Sequence, residues 1–540
     1  MSSSTAQDKN ALVAQASNTP IAGTPNWSEF VLRILPFLIC ALPSLLLLAF
    51  VPPTFNMRDS ATLLTAPISF LVPHWPPLYP EFLLFNTSFF GVSEKGLYAI
   101  VIWQQILATA ACIYICTVFK DNARRIVMSL LCAPANYFFV LSHGIYTEAL
   151  STAYFLFFIG AFARLALYSP VDLAASLLSI KVERPSDPPQ SRSFNLSRQA
   201  VIYFVLYSAL VLMTLTRHNM ILFAVALPAF FALKALMPAV KTAAPSMVSR
   251  LKPLLFSLLL GACAFANVEL FTEVTCRLLG SDSTAKFGRP AVNRMHELPW
   301  SKIPADEMTH LLGNMQKHCS DDATKAALSI MILDNHPWKG SYDQISGLLP
   351  SLHTSKSADQ LMNDAAKAFF LTPNKYLYAE IYKSFLKYMG KDTYAFASFI
   401  SANATSLTMY RQEADTSPLI QKVPLIQNID PHVYDRIGYV VNPRLFDNIC
   451  QYLPMGLAAL ALCAVGVAFG GASLESFFFA IALCASVVVY ALLSAFITVV
   501  INRYLAPVNA VAWLLLGFSV LSWRKLPFSK SEKTAKADGN

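Results

Sequence analysis

Charge is what this 540-residue chain has least of. Only 14% of its residues are Asp, Glu, Lys or Arg, against about 25% in soluble proteins. The mean hydropathy is +0.47. Together these values exclude an ordinary soluble protein. Several apolar runs reach 18 or more residues, which makes the chain an integral membrane protein. No basic stripe with interleaved aromatics occurs, so nucleic acid is excluded as a partner. No internal repeat is visible. No small-residue cleavage site follows the first apolar run, which is too long and begins too late for a cleaved signal peptide, so it reads as a retained span. Metal-site chemistry is also thin. Of ten cysteines, Cys40, Cys112, Cys116, Cys132, Cys263, Cys463 and Cys484 lie in apolar runs and read as small core residues. Cys112 and Cys116 are one helical turn apart, but no His or carboxylate completes a site around them.

What is present is hydrophobic length. Ten spans are expected, near 30–51, 97–119, 126–142, 149–168, 199–216, 219–237, 253–272, 451–469, 475–500 and 505–522. The residues between and after them are unevenly charged. Residues 273–450 carry 18 Lys+Arg and 18 Asp+Glu, so the whole positive excess lies elsewhere. Four basic groups mark one side of the bilayer: Lys120, Arg124 and Arg125; Lys181, Arg184, Arg192 and Arg198; Lys234, Lys241, Arg250 and Lys252; and the tail from Arg524. Basic residues favour the cytoplasmic side. That rule puts both termini in the cytoplasm and gives one alternation for all ten spans. The least supported point is the Gly470-Gly471-Ala472 turn, which has no basic residue.

The expected organisation follows. Residues 1–28 form a disordered cytoplasmic N-terminus. Residues 29–272 hold spans one to seven, with a first extracytoplasmic loop at 52–96. Residues 273–450 form a mostly helical extracytoplasmic domain, because a stretch of that length is too long for a structureless loop. Residues 451–523 hold three more spans, and 524–540 are a basic cytoplasmic tail. Within 273–450, Pro304 opens a helical pattern to about His318, Asp321-Asp322 cap another to about Leu333, and Ser357–Phe370 is amphipathic. Thr372-Pro373 starts a further helix through about Tyr388, with Pro at its first position. Its aromatic and Leu residues recur at 3–4 spacing, as in a helix that packs on the membrane domain or lies in the interface. The segment Pro185-Ser186-Asp187-Pro188-Pro189 marks a flexible cytoplasmic loop.

The polar residues at span ends gather on the extracytoplasmic side, where charge near the membrane core faces a cavity or a partner. Asp59 reads either as a general base or as a juxtamembrane acid paired with Arg58. His74-Trp75-Pro76-Pro77-Leu78-Tyr79-Pro80 is a stiff corner. It is either an interfacial anchor or a wall of an acceptor or lipid site, with His74 and Tyr79 near the reacting centre. Glu148 either caps the start of span four or serves as a second acid towards an acceptor or a metal. Arg217 and Arg503 each end a span on this side. Either guanidinium presents a planar fork suited to phosphate, or it snorkels to the interface.

In order and sidedness these short motifs resemble the GT-C superfamily of polytopic glycosyltransferases, in particular members like the protein O-mannosyltransferases and the aminoarabinose transferases. The resemblance rests on Arg58-Asp59 after span one, the proline-aromatic tract 74–80, Thr147-Glu148 opening span four, Leu215-Thr216-Arg217, Asn502-Arg503-Tyr504-Leu505-Ala506-Pro507, and Thr372-Pro373-Asn374-Lys375-Tyr376-Leu377. Ser60 stands where many members carry a second acid. The resemblance implies an all-α GT-C-like bundle of about ten transmembrane helices. It implies Asp59 as catalytic base, Glu148, His74 and Tyr79 near the acceptor, and Arg217, Arg503 and Tyr504 on the donor phosphate. The donor would be a polyprenyl-phosphate-linked sugar, and the acceptor a lipid, glycan or protein. Asp59 and Glu148 would be the ligands of any divalent cation, Mg2+ or Mn2+. The implied setting is the inner (plasma) membrane, with the site facing the periplasm or exterior. In the same oxidising compartment Cys276 and Cys319 are expected to form a disulfide. Two other classes compete: a transporter or flippase of lipid-linked saccharides, which would carry mid-span polar residues and an inverted repeat, and a non-catalytic scaffold that binds through 273–450.

Overall fold

The computed structural model describes residues 27–54, 59–66, 68–72, 75–132, 143–168, 189–236, 247–281, 288–333, 338–389, 452–497 and 506–523. Among these the fold is all-α, and the single β-type contact is a parallel bridge between Thr54 and Gly144. The first half of the chain forms α1 (Trp27–Phe50), α2 (Asp59–Thr65), α3 (Ile68–Leu71), α4 (Leu78–Phe90), α5 (Glu94–Cys116), α6 (Asn122–Cys132), α7 (Thr147–Tyr168) and α8 (Pro189–Thr216). A 3-10 helix (His218–Val225) leads into α9 (Ala226–Leu236) and α10 (Met247–Leu278). Next come α11 (Gly288–His296), α12 (Ala305–Lys317), α13 (Asp322–Leu333), α14 (Trp338–Leu348), α15 (Ala358–Leu371) and α16 (Lys375–Tyr388). The last three are α17 (Tyr452–Ala468), α18 (Leu474–Ile497) and α19 (Ala506–Leu521).

Six helical stretches are long and apolar enough to cross a bilayer: Phe30–Phe50, Glu94–Cys116, Thr147–Leu167, His218–Leu236, Arg250–Leu278 and Leu474–Ile497. Ala200–Thr216, Pro454–Ala468 and Val511–Leu521 are shorter apolar helices. The expected third span is described only through Cys132, as α6. α8 begins at Pro189, where the sequence reading had placed the end of a loop. Proline is favoured at a helix start because its missing N–H has no intrahelical acceptor there.

Burial sorts the spans. The window in α7 is 78% buried, whereas that in α10 is 22% buried, so α7 is the central helix and α10 peripheral. Phenylalanines fill the core around α7. Phe155 lies 4.3 Å from Phe223, and Phe162 packs on both Phe230 and Phe479. These aromatic pairs join α7, the 3-10 helix, α9 and α18, and aromatic rings supply large contact area and defined geometry.

The two ends of the bundle are distinct. At one end, Arg124 NH2 donates to Trp523 O at 2.8 Å, and Lys234 faces Glu475 at 3.9 Å. Gly466 admits the Trp523 indole, since a Cβ there would come within 2.6 Å of its Nε1 and 2.8 Å of the Ala472 Cβ. The Gly470–Ala472 turn thus shares an end with Arg124 and Lys234, as the expected alternation requires.

Helices α11–α16 dock at the opposite end, on the last turns of α18. Their starts follow local chemistry. Ser357 and Gln360 make a capping box on α15, and Asp321 Oδ1 accepts from Thr324 N at 2.7 Å. α16 departs from expectation. Its cap is Asn374, whose side chain accepts from Tyr376 N and Leu377 N, so Pro373 stands outside the helix instead of at its first position. α16 buries Leu377, Ile381, Ser384 and Tyr388. The Tyr388 ring meets Tyr490 edge-on at 6.0 Å, and Phe370 stacks on Phe496 at 4.9 Å.

Arg294 locks this junction. It is fully buried, and its NH1 donates to Glu297 Oε2 (2.8 Å) and Ser384 Oγ (3.0 Å), while NH2 donates to the Ala495 carbonyl. The expected disulfide is absent. Cys319, at the end of α12, is a free thiol whose Sγ lies 3.6 Å from Met315 O, whereas Cys276 is buried in the last turns of α10. The two cysteines belong to separately packed elements, so the expected pairing does not form. Residues 390–450 and both chain ends lie outside the described residues.

Arg294→Ala should weaken docking by about 2–4 kcal/mol, since it removes several charge-assisted hydrogen bonds in a buried junction. Limited proteolysis should then cut within 288–389 faster while the spans stay protected. Unchanged cleavage would show that Arg294 does not hold the two layers together.

Candidate active site

The chain leaving α1 is stitched to the segment that leads into α7. Thr54 N donates to His143 O at 3.0 Å, and Ile145 N donates to Thr54 O at 3.1 Å. His143 Nε2 lies 2.7 Å from Val51 O. A carbonyl only accepts, so Nε2 carries the proton of the ring. Ser60, buried at the start of α2, donates to Ile145 O at 2.9 Å. Residues on both sides of Asp59 are therefore fixed to residues 143–145. Asp59 itself opens α2. Its side chain and Arg58 lie outside the described part. Gly144 is required at the crossing, because a Cβ there would overlap the Tyr146 ring and lie 2.7 Å from Thr54 Oγ1.

Three residues beyond Ile145 stands Glu148, in the first turn of α7. Its Oε1 accepts from Arg217 NH1 at 2.6 Å, and its Oε2 accepts from Thr147 Oγ1 at 3.1 Å. The two charged side chains are only 3% and 11% exposed. Arg217 is a single extended residue between α8 and the 3-10 helix. That break turns its guanidinium towards α7. Arg217 Nε donates to Asn219 Oδ1 at 3.3 Å, and Asn219 Nδ2 lies 3.2 Å from both Tyr490 OH and Ser494 Oγ. One polar chain thus runs from α7 through the α8 break to α18. The same turns of α18 receive Tyr388 and Arg294 from the docked helices.

Tyr79 is fully buried against this group, and its hydroxyl donates to Gln104 Oε1 at 3.1 Å. Gln104 Nε2 in turn donates to Gly144 O at 2.8 Å. Burial drives the Tyr79 phenol well above its usual range, and the nearby Glu148 charge adds to the effect. Burial also holds the His143 ring down to about 4, so it is neutral at physiological pH.

No protein-family model matches the chain, and no curated protein or solved structure matches it.

Of the residues singled out from sequence, Glu148 and Arg217 are in direct contact, Tyr79 lies beside them, and the Asp59 segment is tied to their loop. Sequence reasoning had assigned Glu148 and Arg217 to separate partners, and the structure pairs them with each other. Tyr79 is buried and braces the Gly144 loop through Gln104. His74, Arg503 and Tyr504 lie outside the described residues, the last two between the end of α18 and the start of α19. Among the described residues no group of three or more His, Cys, Asp or Glu side chains is arranged to hold a metal ion. Ser60, Gln104, His143, Asn219, Tyr490 and Ser494 were missed. The available signal was polarity in or next to apolar runs, where an uncompensated polar group is costly.

Removing one member of a buried ion pair costs about 3–5 kcal/mol, because the other charge is left uncompensated. Glu148→Gln and Arg217→Gln should each destabilise the detergent-solubilised protein by about that amount, and the double variant by clearly less than the sum. Additive losses in equilibrium unfolding would contradict the pairing.

His143 gives a pH signature. Its folded-state value near 4 lies below the ordinary 6.5, so in that window the unfolded chain binds the extra proton. Its contribution to stability is complete above pH 6.5 and declines as pH falls towards 4. The melting temperature should drop over that interval, and His143→Gln should flatten the drop. Equal slopes in both proteins would show that another group controls it.

Proposed function

We propose that the chain transfers a sugar from a polyprenyl-phosphate-linked donor to a lipid, glycan or protein acceptor, at the bundle end where Glu148 meets Arg217. The observation that carries this reading is the tether of the Asp59 segment, through Thr54 and Ser60, to the loop that delivers Glu148 and its Arg217 partner. A chain segment that carries an acid, tied on both sides to the loop of a buried carboxylate–arginine pair, suits a reaction that needs a base and a phosphate clamp.

In this reading Asp59 accepts the proton of the acceptor hydroxyl as its oxygen attacks the anomeric carbon. The bond from that carbon to the phosphate oxygen breaks with inversion, and the polyprenyl phosphate leaves with the electron pair. Arginine stabilises charge that grows on the leaving phosphate. In this reading Arg217, Arg503 and Tyr504 serve the donor phosphate, and Glu148 orients the Arg217 fork. The bundle crosses the plasma membrane ten times, the Arg124 end and both termini face the cytoplasm, and helices α11–α16 lie outside. The donor tail lies in the bilayer against the spans, and the acceptor arrives from the docked-helix side.

Asp59→Asn keeps the size of the side chain and removes the base. Transfer in membranes carrying the variant should fall by about 10^2–10^4-fold, as expected for loss of general-base catalysis, with expression and melting temperature unchanged. Full transfer activity in that variant would overturn the assignment of Asp59.

A further inference from the structure

The docked layer presents a second face besides the one that meets α18. On α16, Leu377, Ile381, Ser384 and Tyr388 are buried. Tyr378 and Tyr382 stand one helical turn apart on a neighbouring face and are 53% and 64% exposed. Leu371, the last residue of α15, is 65% exposed. The two lysines that flank the tyrosines are paired: Lys375 with Glu307 at 2.7 Å, and Lys383 with Glu380 at 3.4 Å. What stands between them is apolar and aromatic.

Contacts with α18 fix the height of this patch. α18 is a span that ends at Ile497. Tyr388 meets Tyr490, about 10 Å inside that end at a rise of about 1.5 Å per residue. Four residues back along α16, Ser384 shares Arg294 with the Ala495 carbonyl, about 3 Å from the end. α16 therefore rises along α18 as its residue numbers fall. Continued at the same pitch, Tyr382 comes level with Ile497, and Tyr378 stands about 6 Å beyond it. Phe370 stacks on Phe496, so its neighbour Leu371 lies at the same height. Leu492 and Leu493 are exposed on α18 just below, and the lipid that covers them reaches the end of the span where the patch begins.

Tyrosine favours that boundary, because its ring is apolar and its hydroxyl meets water and headgroup phosphate. We propose that Leu371, Tyr378 and Tyr382 form a lipid-contact patch, which seats the docked layer in the headgroup zone of the bilayer. The patch requires only that α18 span the membrane, and it is independent of the transfer reaction. It gives the layer a second attachment beside Arg294. Because its exposed groups are uncharged, a zwitterionic lipid satisfies it.

Footprinting of the full-length protein in nanodiscs of dioleoyl phosphatidylcholine tests this, with modified residues read by mass spectrometry. One reagent is hydroxyl radical made in the water. The other is a phosphatidylcholine that carries a photoreactive diazirine high on its acyl chain. Leu371, Tyr378 and Tyr382 should take the lipid label and lose hydroxyl-radical labelling. Leu333 and Leu348, exposed on α13 and α14 of the same layer, should be labelled from water and serve as the reference. Hydroxyl-radical labelling of the patch equal to that of Leu333 and Leu348 would overturn the proposal, because the face would then be turned to water. Protection from both reagents would overturn it too, by showing that another segment of the chain or a second copy covers the face.

Discussion

A buried carboxylate beside a buried guanidinium sets the geometry of one end of this bundle. Charge removed from water is stable only when paired and hydrogen-bonded. Glu148 and Arg217 meet that condition at 2.6 Å. The contact requires the α7 start and the α8 end to lie at one level, and it requires the chain to break at Arg217 so that the side chain can turn inward. Asn219 extends the requirement to α18 through Tyr490 and Ser494. Three helices that could slide along apolar faces are thereby fixed in register, which hydrophobic contact alone does not do.

The docked layer uses the same device one turn further on. Arg294 is buried, binds Glu297 and Ser384 on its own side, and reaches the Ala495 carbonyl on the other. Ser494 and Ala495 are adjacent, so the ion-pair network and the docking contact share the last turns of α18. Tyr490 joins both, with Phe223 stacked at 4.9 Å and Tyr388 edge-on at 6.0 Å. A displacement of α11–α16 would therefore be felt at Arg217 through two residues.

The sequence was most legible where local chemistry decides. The amphipathic stretch Ser357–Phe370 matches α15 within a residue at each end, and the Asp321-Asp322 pair marks the start of α13. Basic residues at span ends predicted which ends of the helices meet, and Arg124 against Trp523 agrees with that pattern. Reading failed where tertiary context decides. Pro373 looked like a first helical residue, but Asn374 caps two N–H groups and outcompetes it. The region 52–96 read as a loop with a stiff corner, yet α2, α3 and α4 fold within it, because short helices with one buried face show little periodicity. Cys276 and Cys319 shared a predicted compartment, which says nothing about distance. Glu148 and Arg217 were both found, but 69 residues separate them in sequence, and no local pattern reports a partner so far away.

The stitching of residues 51–60 to 143–145 bears most directly on chemistry. Under the proposed function Asp59 would be the base, and a base needs its chain segment held in place, which a loop hydrated on all sides does not provide. Here the constraint comes mainly from backbone groups. The Thr54–Gly144 bridge tolerates no side chain at Gly144, the His143 ring reaches the Val51 carbonyl, and Ser60 reaches the Ile145 carbonyl. Ser60 is small enough to be buried and still donate a hydrogen bond. An acid at that position could not donate to the carbonyl when ionised, and would bury a second charge close to Glu148. Serine is therefore the residue the local packing requires at position 60, and Asp59 is the acid that opens α2.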